Sequence, residues 1–133
     1  MDETQKSELM IAKILSLLME WGIQESELRF EELDLDDKFR PFFFPCIQWL
    51  VSEGVIRTGN LHQFLDGPGA GLVSRPVLTS YGMKILGLTL QLGDQDMPMS
   101  TAIAEVSKNG KSYSQVGDFF GGLLGGFTKS VGS

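Results

Sequence analysis

The sequence predicts a mainly α fold with one small β-hairpin. Three observations carry this expectation. Apolar residues recur at helical spacing in separate runs before Gly54. Short β-prone runs replace that period between 55 and 78. A threonine at 79 then opens another helical run.

The first run is "SELMIAKILSLLMEWG". Ile11, Ile14, Leu15 and Leu18 follow the i, i+3, i+4, i+7 rule, and Met10, Leu17 and Trp21 widen the stripe. Gly22 fits a C-terminal stop. The acidic stretch 26–37 is expected to form a second, shorter helix with Leu28, Leu33 and Phe30 inward. Pro41 interrupts. "RPFFFPCIQWLVSEG" is read as a third helix, with Pro41 or Pro45 in its first turn, where a missing N–H costs nothing. Phe43, Ile47, Leu50 and Val51 share one face, and Gly54 ends the run.

"VIRT" (55–58) and "LVSRPVL" (72–78) are expected to be two strands around the loop "GNLHQFLDGPGAG". Thr79 is expected to N-cap a helix that buries Ile85 and Leu86. Residues 87–99 read as a connection with a short strand at 88–92, followed by a short helix in "STAIAEVSK". Ser112 and Gln115 have capping-box spacing, so the closing stretch is expected to start as a helix. The expected organisation is a domain over 1–87, a connecting segment over 88–111 and an apolar, glycine-rich helix over 112–133.

The order helix–helix–helix–strand–loop–strand–helix across 8–87 resembles a winged helix domain. "IQWLVSEGVIR" (47–57) looks like a recognition helix running into the first wing strand. "VLTSYGMKILG" (77–87) is similar to the leucine–threonine–x–x–glycine–x–x–x–leucine run that follows the wing in many bacterial winged helix proteins. The combination with a glycine-rich apolar C-terminus resembles small uncharacterised bacterial proteins and implies no particular biochemistry. The fold serves many partners, so the resemblance is weakly specific for function.

Charge narrows the function. The net charge is −6. Residues 1–53 carry twelve acids and five bases; residues 54–133 carry five and six. In "ESELRFEELDLDD" seven carboxylates face only Arg29. Such a surface repels nucleic acid and attracts basic partners. The plain alternative is a solvated face. If the resemblance implies DNA binding, the contacts would come from Lys38, Arg40 and Gln48 around the third helix, with Arg57 and Arg75 in the wing. Those few cations beside an acidic block make weak tethering, so DNA is the second reading and a protein partner, of basic character, the first. Glu31 and Asp34 with Phe42 or Phe44 are the candidate partner surface: the aromatics at 42–44 cannot all point inward. A third reading is an immunity-like inhibitor of a basic toxin.

No catalytic constellation appears. His62 is the only histidine, and Cys46, the only cysteine, sits within an apolar run, where an inert buried thiol is expected. "DGPGAG" lacks the lysine and context of a phosphate loop. No clustering of Cys, His or carboxylates has metal-ligand spacing, so no metal and no cofactor are expected. A non-enzymatic, cytoplasmic protein is expected: the N-terminus lacks signal-peptide character and no stretch reaches membrane-spanning length.

"VGDFFGGLLGGFTKSV" (116–131) is apolar on nearly every side. Gly117, Gly121 and Gly125 fall four apart, as do Phe119, Leu123 and Phe127, and Leu124 extends the apolar face. Glycine ridges serve close helix contact. The stretch is therefore read as an assembly element that makes a homodimer or packs on its own domain, with a membrane well behind.

Overall fold

The computed structural model describes residues 2–92 and 95–109. Helix α1 spans Glu3–Trp21. Its start is a capping box: Asp2 Oδ1 accepts the Gln5 N–H at 2.8 Å, and Gln5 Oε1 accepts the Asp2 N–H at 2.9 Å. It stops at Gly22, whose φ of +71° suits glycine. The predicted stripe is the buried one, with Met10, Ile14, Leu15 and Leu18 inside.

The expected helix over 26–37 is corrected. Strand β1 (Glu27–Leu28) is followed by a 3-10 turn over Phe30–Leu33. An α-helix here would have stacked Glu27 on Glu31 and Glu32 on Asp36, each like-charge i,i+4 pair costing about 0.2–0.5 kcal/mol. A strand instead places Leu28 opposite Val73, both fully buried. Asp34 closes the turn at φ +56°, a left-handed conformation that aspartate tolerates. A second 3-10 segment, Asp37–Phe42, leads into α2 (Phe43–Ser52). Pro45 sits in the first turn of α2, as expected. Phe43, Ile47 and Leu50 are wholly buried, but Val51 is exposed and leaves the predicted face.

Gly54, at φ +77°, ends α2 in paired bonds: its N–H donates to Val51 O and that of Val55 to Leu50 O, both at 3.0 Å. The expected single hairpin becomes two ladders. Strand β2 (Ile56–Arg57) pairs with β5 (Val77–Leu78). Strand β3 (Leu61–Gln63), inside the stretch read as loop, pairs with β4 (Gly71–Ser74). The first sheet has the order β1-β4-β3. Helix α3 (Ser80–Leu86) follows, with Ile85 and Leu86 buried.

Strands β6 (Thr89–Leu92) and β7 (Gln95–Pro98) pair antiparallel, and α4 covers Met99–Asn109. Strand β7 escaped prediction because it carries little β propensity and ends in proline; Pro98 stands at the end of the ladder, opposite Thr89. Helix α4 packs on α1. Met99, Ala102, Ile103 and Val106 join α1 and α2 in one core, so the part of the expected connecting segment that forms α4 is packed structure. The mixed fold is four helices with small antiparallel sheets among the described residues. The expected helix over 112–133, with Gly117, Phe119, Gly121, Leu123, Leu124, Gly125 and Phe127, lies outside them.

Candidate interaction surface

The 3-10 segment Asp37–Phe42 and helix α2 carry five of the predicted site residues, Lys38, Arg40, Phe42, Phe44 and Gln48. Helix α2 contains no charged residue. Its solvent side carries Pro45, Gln48, Val51 and Ser52, with Trp49 half-buried. Phe42, just before the helix, is half-buried, and the Lys6 ammonium lies 5.9 Å from its ring centroid. Phe44 is corrected: it is buried, its ring 4.8 Å from that of Phe43 in an edge contact, and it offers nothing to a partner. Period decides this. Phe43, Ile47 and Leu50 face the core, and Phe44 follows Phe43 around the same inward arc.

The acidic block flanks this side. Glu31, Glu32, Asp34, Asp36 and Asp37 are all exposed. Arg40 is the cation among them, and it is engaged: Nε lies 2.9 Å from Asp37 and Nη2 3.9 Å from Glu31, with the guanidinium 4.7 Å over the Phe30 ring. Lys38 stands over Phe39 at 5.5 Å. Arg29 pairs with Glu27 at 3.5 Å. Partial burial holds Glu32 above the ordinary carboxylate value; Arg29 pulls it back, while Glu27 and Glu31 add to the rise.

The two arginines expected in a wing sit elsewhere. Arg57 and Arg75 line a shallow groove with Ile23, Gln24, Glu25, Thr58, Gly59 and Val77. Among the described residues neither arginine makes an ion pair. Arg75 is held at φ +46° while its N–H donates to Ser26 O at 2.8 Å. Sequence reading assigned both arginines to the wing but did not see that they share a groove with Ile23, because Ile23 lies over thirty residues before Arg57.

At the tip of the β3–β4 hairpin, Phe64 is half-exposed and Leu65 fully exposed. Neither was singled out from sequence, since two apolar residues in a loop carry no periodic signal. The tip is anchored. The Phe64 N–H donates to Ala70 O at 2.9 Å. Gly69, at φ +73°, packs so closely on Arg40 that a Cβ there would stand 2.9 Å from the Arg40 carbonyl oxygen. The apolar tip therefore lies beside the acidic block.

His62 is exposed on β3. Cys46 is buried, and burial pushes its thiol up to about 12. No group of three metal-ligating side chains occurs among the described residues, and none of their helices is long and apolar enough to cross a membrane. Comparison with family models, with curated proteins and with solved structures finds no match.

Proposed function

We propose that this chain is a non-enzymatic, cytoplasmic winged helix module that works by binding a basic protein partner. The supporting topology is a strand between α1 and the 3-10 segments that adds to a hairpin following α2. The observation that carries the reading is the charge pattern around α2. A helix that reads DNA needs cations or amides on its exposed side, and phosphate contacts supply most of its affinity. Here α2 has Gln48 alone for that purpose. Arg40 is occupied by Asp37 and Glu31. Exposed carboxylates and an uncharged helix side with Pro45, Trp49 and Val51 suit a protein surface that presents lysines and arginines around an apolar centre. The closing stretch 112–133, with its glycine ridges, is the proposed homodimer element.

The DNA reading retains one supporting observation, Arg57 and Arg75 in one groove without an ion pair among the described residues. Two probes separate the readings at about 0.15 M salt, where exposed charges are screened beyond about 8 Å. The probes are a lysine-rich peptide with leucines at helical spacing and a mixed-sequence DNA duplex. The protein reading expects peptide binding that Glu31→Lys with Asp34→Lys abolishes and Arg40→Glu with Arg57→Glu preserves. Duplex binding with the opposite mutational response would replace it by the DNA reading.

A further inference from the structure

The β3–β4 hairpin carries an open strand edge, an apolar tip and, at its base, two arginines without an ion pair among the described residues. We propose that one arrangement uses all three. Two copies of the chain pair their β3 edges antiparallel about a two-fold axis at His62, and the tip of each hairpin seats in the arginine groove of the other.

The backbone selects the register. β3 is the terminal strand in the order β1-β4-β3. Asn60 O accepts the Ser74 N–H at 2.9 Å, and the Phe64 N–H donates to Ala70 O at 2.9 Å. Alternate residues of an antiparallel strand bond to opposite sides, so His62 also faces β4. The N–H and C=O groups of Leu61 and Gln63 therefore point away from the sheet. The Gly59 N–H is turned inward, to Ser74 O at 2.8 Å, so the open edge is confined to those two residues. An axis at His62 joins Leu61 of each copy to the partner's Gln63. No other antiparallel register satisfies both.

The same pairing decides what the tip meets. Antiparallel strands set the end of β3 that leads into Leu65 and Asp66 beside the partner's residues that precede β3, Thr58 and Gly59. Thr58 and Gly59 belong to the groove of Ile23, Arg57 and Arg75. Leu65 is fully exposed and Ile23 is 73% exposed, so each supplies the apolar cover that the other lacks. Gly59 has no side chain to obstruct Leu65. Asp66 arrives beside two arginines that outnumber the one carboxylate of the groove lining, Glu25. A second copy is the fitting occupant because one chain carries both halves of the match, and a two-fold axis uses each half twice. Open edges recruit strands in this way, and charge complementarity sets the register.

Disulfide trapping in the full chain tests the arrangement. His62 faces the partner's His62 as a non-hydrogen-bonded pair, with Cα atoms about 4.5 Å apart, within disulfide reach. Gln63 lies diagonal to the partner's Gln63, at about 7–8 Å or more, outside it. Both side chains, like Leu65, are exposed, so far-UV circular dichroism should be unchanged in all variants. Cys46 is buried and does not compete. Under oxidised glutathione, His62→Cys is expected to form covalent dimer at least about tenfold faster than Gln63→Cys, the advantage of a held pair over a collisional one. Leu65→Asp or Arg57→Glu added to His62→Cys should remove that advantage, and Asp66→Arg should restore it in the Arg57→Glu background. Equal rates at 62 and 63 would overturn the proposal; a dimer held by residues 112–133 alone gives that result. An advantage that survives Leu65→Asp would also overturn it.

Discussion

Gly82 lies directly against the carbonyl group of Val55: a methyl group built on its Cα would overlap the Val55 carbonyl oxygen. This contact joins the first turn of α3 to the residue that follows the exit of α2. The glycine of "VLTSYGMKILG" thus permits a close backbone approach. Gly82→Ala is expected to destabilise the fold by about 1–3 kcal/mol through overpacking, read as a lower urea midpoint. An unchanged midpoint would mean that α3 shifts freely away from Val55.

Thr79 holds the same junction through its hydroxyl. Oγ1 accepts the Gly82 N–H at 2.9 Å and donates toward Gly54 O and Val55 O. Thr79→Ala should cost about 1–2 kcal/mol, the upper range for a lost N-cap. Thr79→Ser keeps the hydroxyl and should recover most of that loss. Equal losses in both variants would assign the effect to the methyl group.

Cys46 should be inert in the native state. Burial pushes its thiol from an ordinary 9.0 up to about 12, which lowers the reactive thiolate about a thousandfold near pH 8. Iodoacetamide labelling should therefore be slow until denaturant is added. The sign for stability follows: the folded state binds the thiol proton more tightly, so this contribution is full below the ordinary value and is lost as pH rises toward about 12. Fast native labelling would mean that α2 opens readily.

Glu32 should show the carboxylate version of that effect. Its folded value is raised above the ordinary 4.5, first by partial burial and then by Glu27 and Glu31 against the pull of Arg29. The folded state prefers the protonated form, so the contribution is full below the ordinary value and is lost as pH rises through the raised one. Glu32→Gln cannot ionise. It should raise the melting temperature slightly at about pH 7 and leave it unchanged at about pH 3. A gain at both pH values would point to helix propensity or packing instead.

Phe42 and Phe44 separate surface from core. Phe44→Ala should cost about 3–5 kcal/mol, as for a buried aromatic. Phe42→Ala should cost clearly less, since its ring is half in solvent and touches Lys6. Matching losses by chemical denaturation would place both rings in the core.

Local chemistry by itself determined α1, α2, α3 and α4, because each is written in short-range signals: a stripe, a cap, a glycine stop. Gly54 and Thr79 were legible for the same reason, since each serves a turn or cap that its residue type suits. Tertiary structure decided the rest. Glu27 and Leu28 joined a sheet because Val73, over forty residues away, offered Leu28 a buried partner, while charge repulsion opposed the helix that the apolar spacing alone suggested. β3 formed inside an apparent loop because β4 was there to pair with it. The groove of Ile23, Arg57 and Arg75, and the seat of the β3–β4 tip on Arg40, join residues that no local pattern links. Short-range propensity amounts to tenths of a kcal/mol per residue, and burial of one large apolar side chain outweighs several such terms.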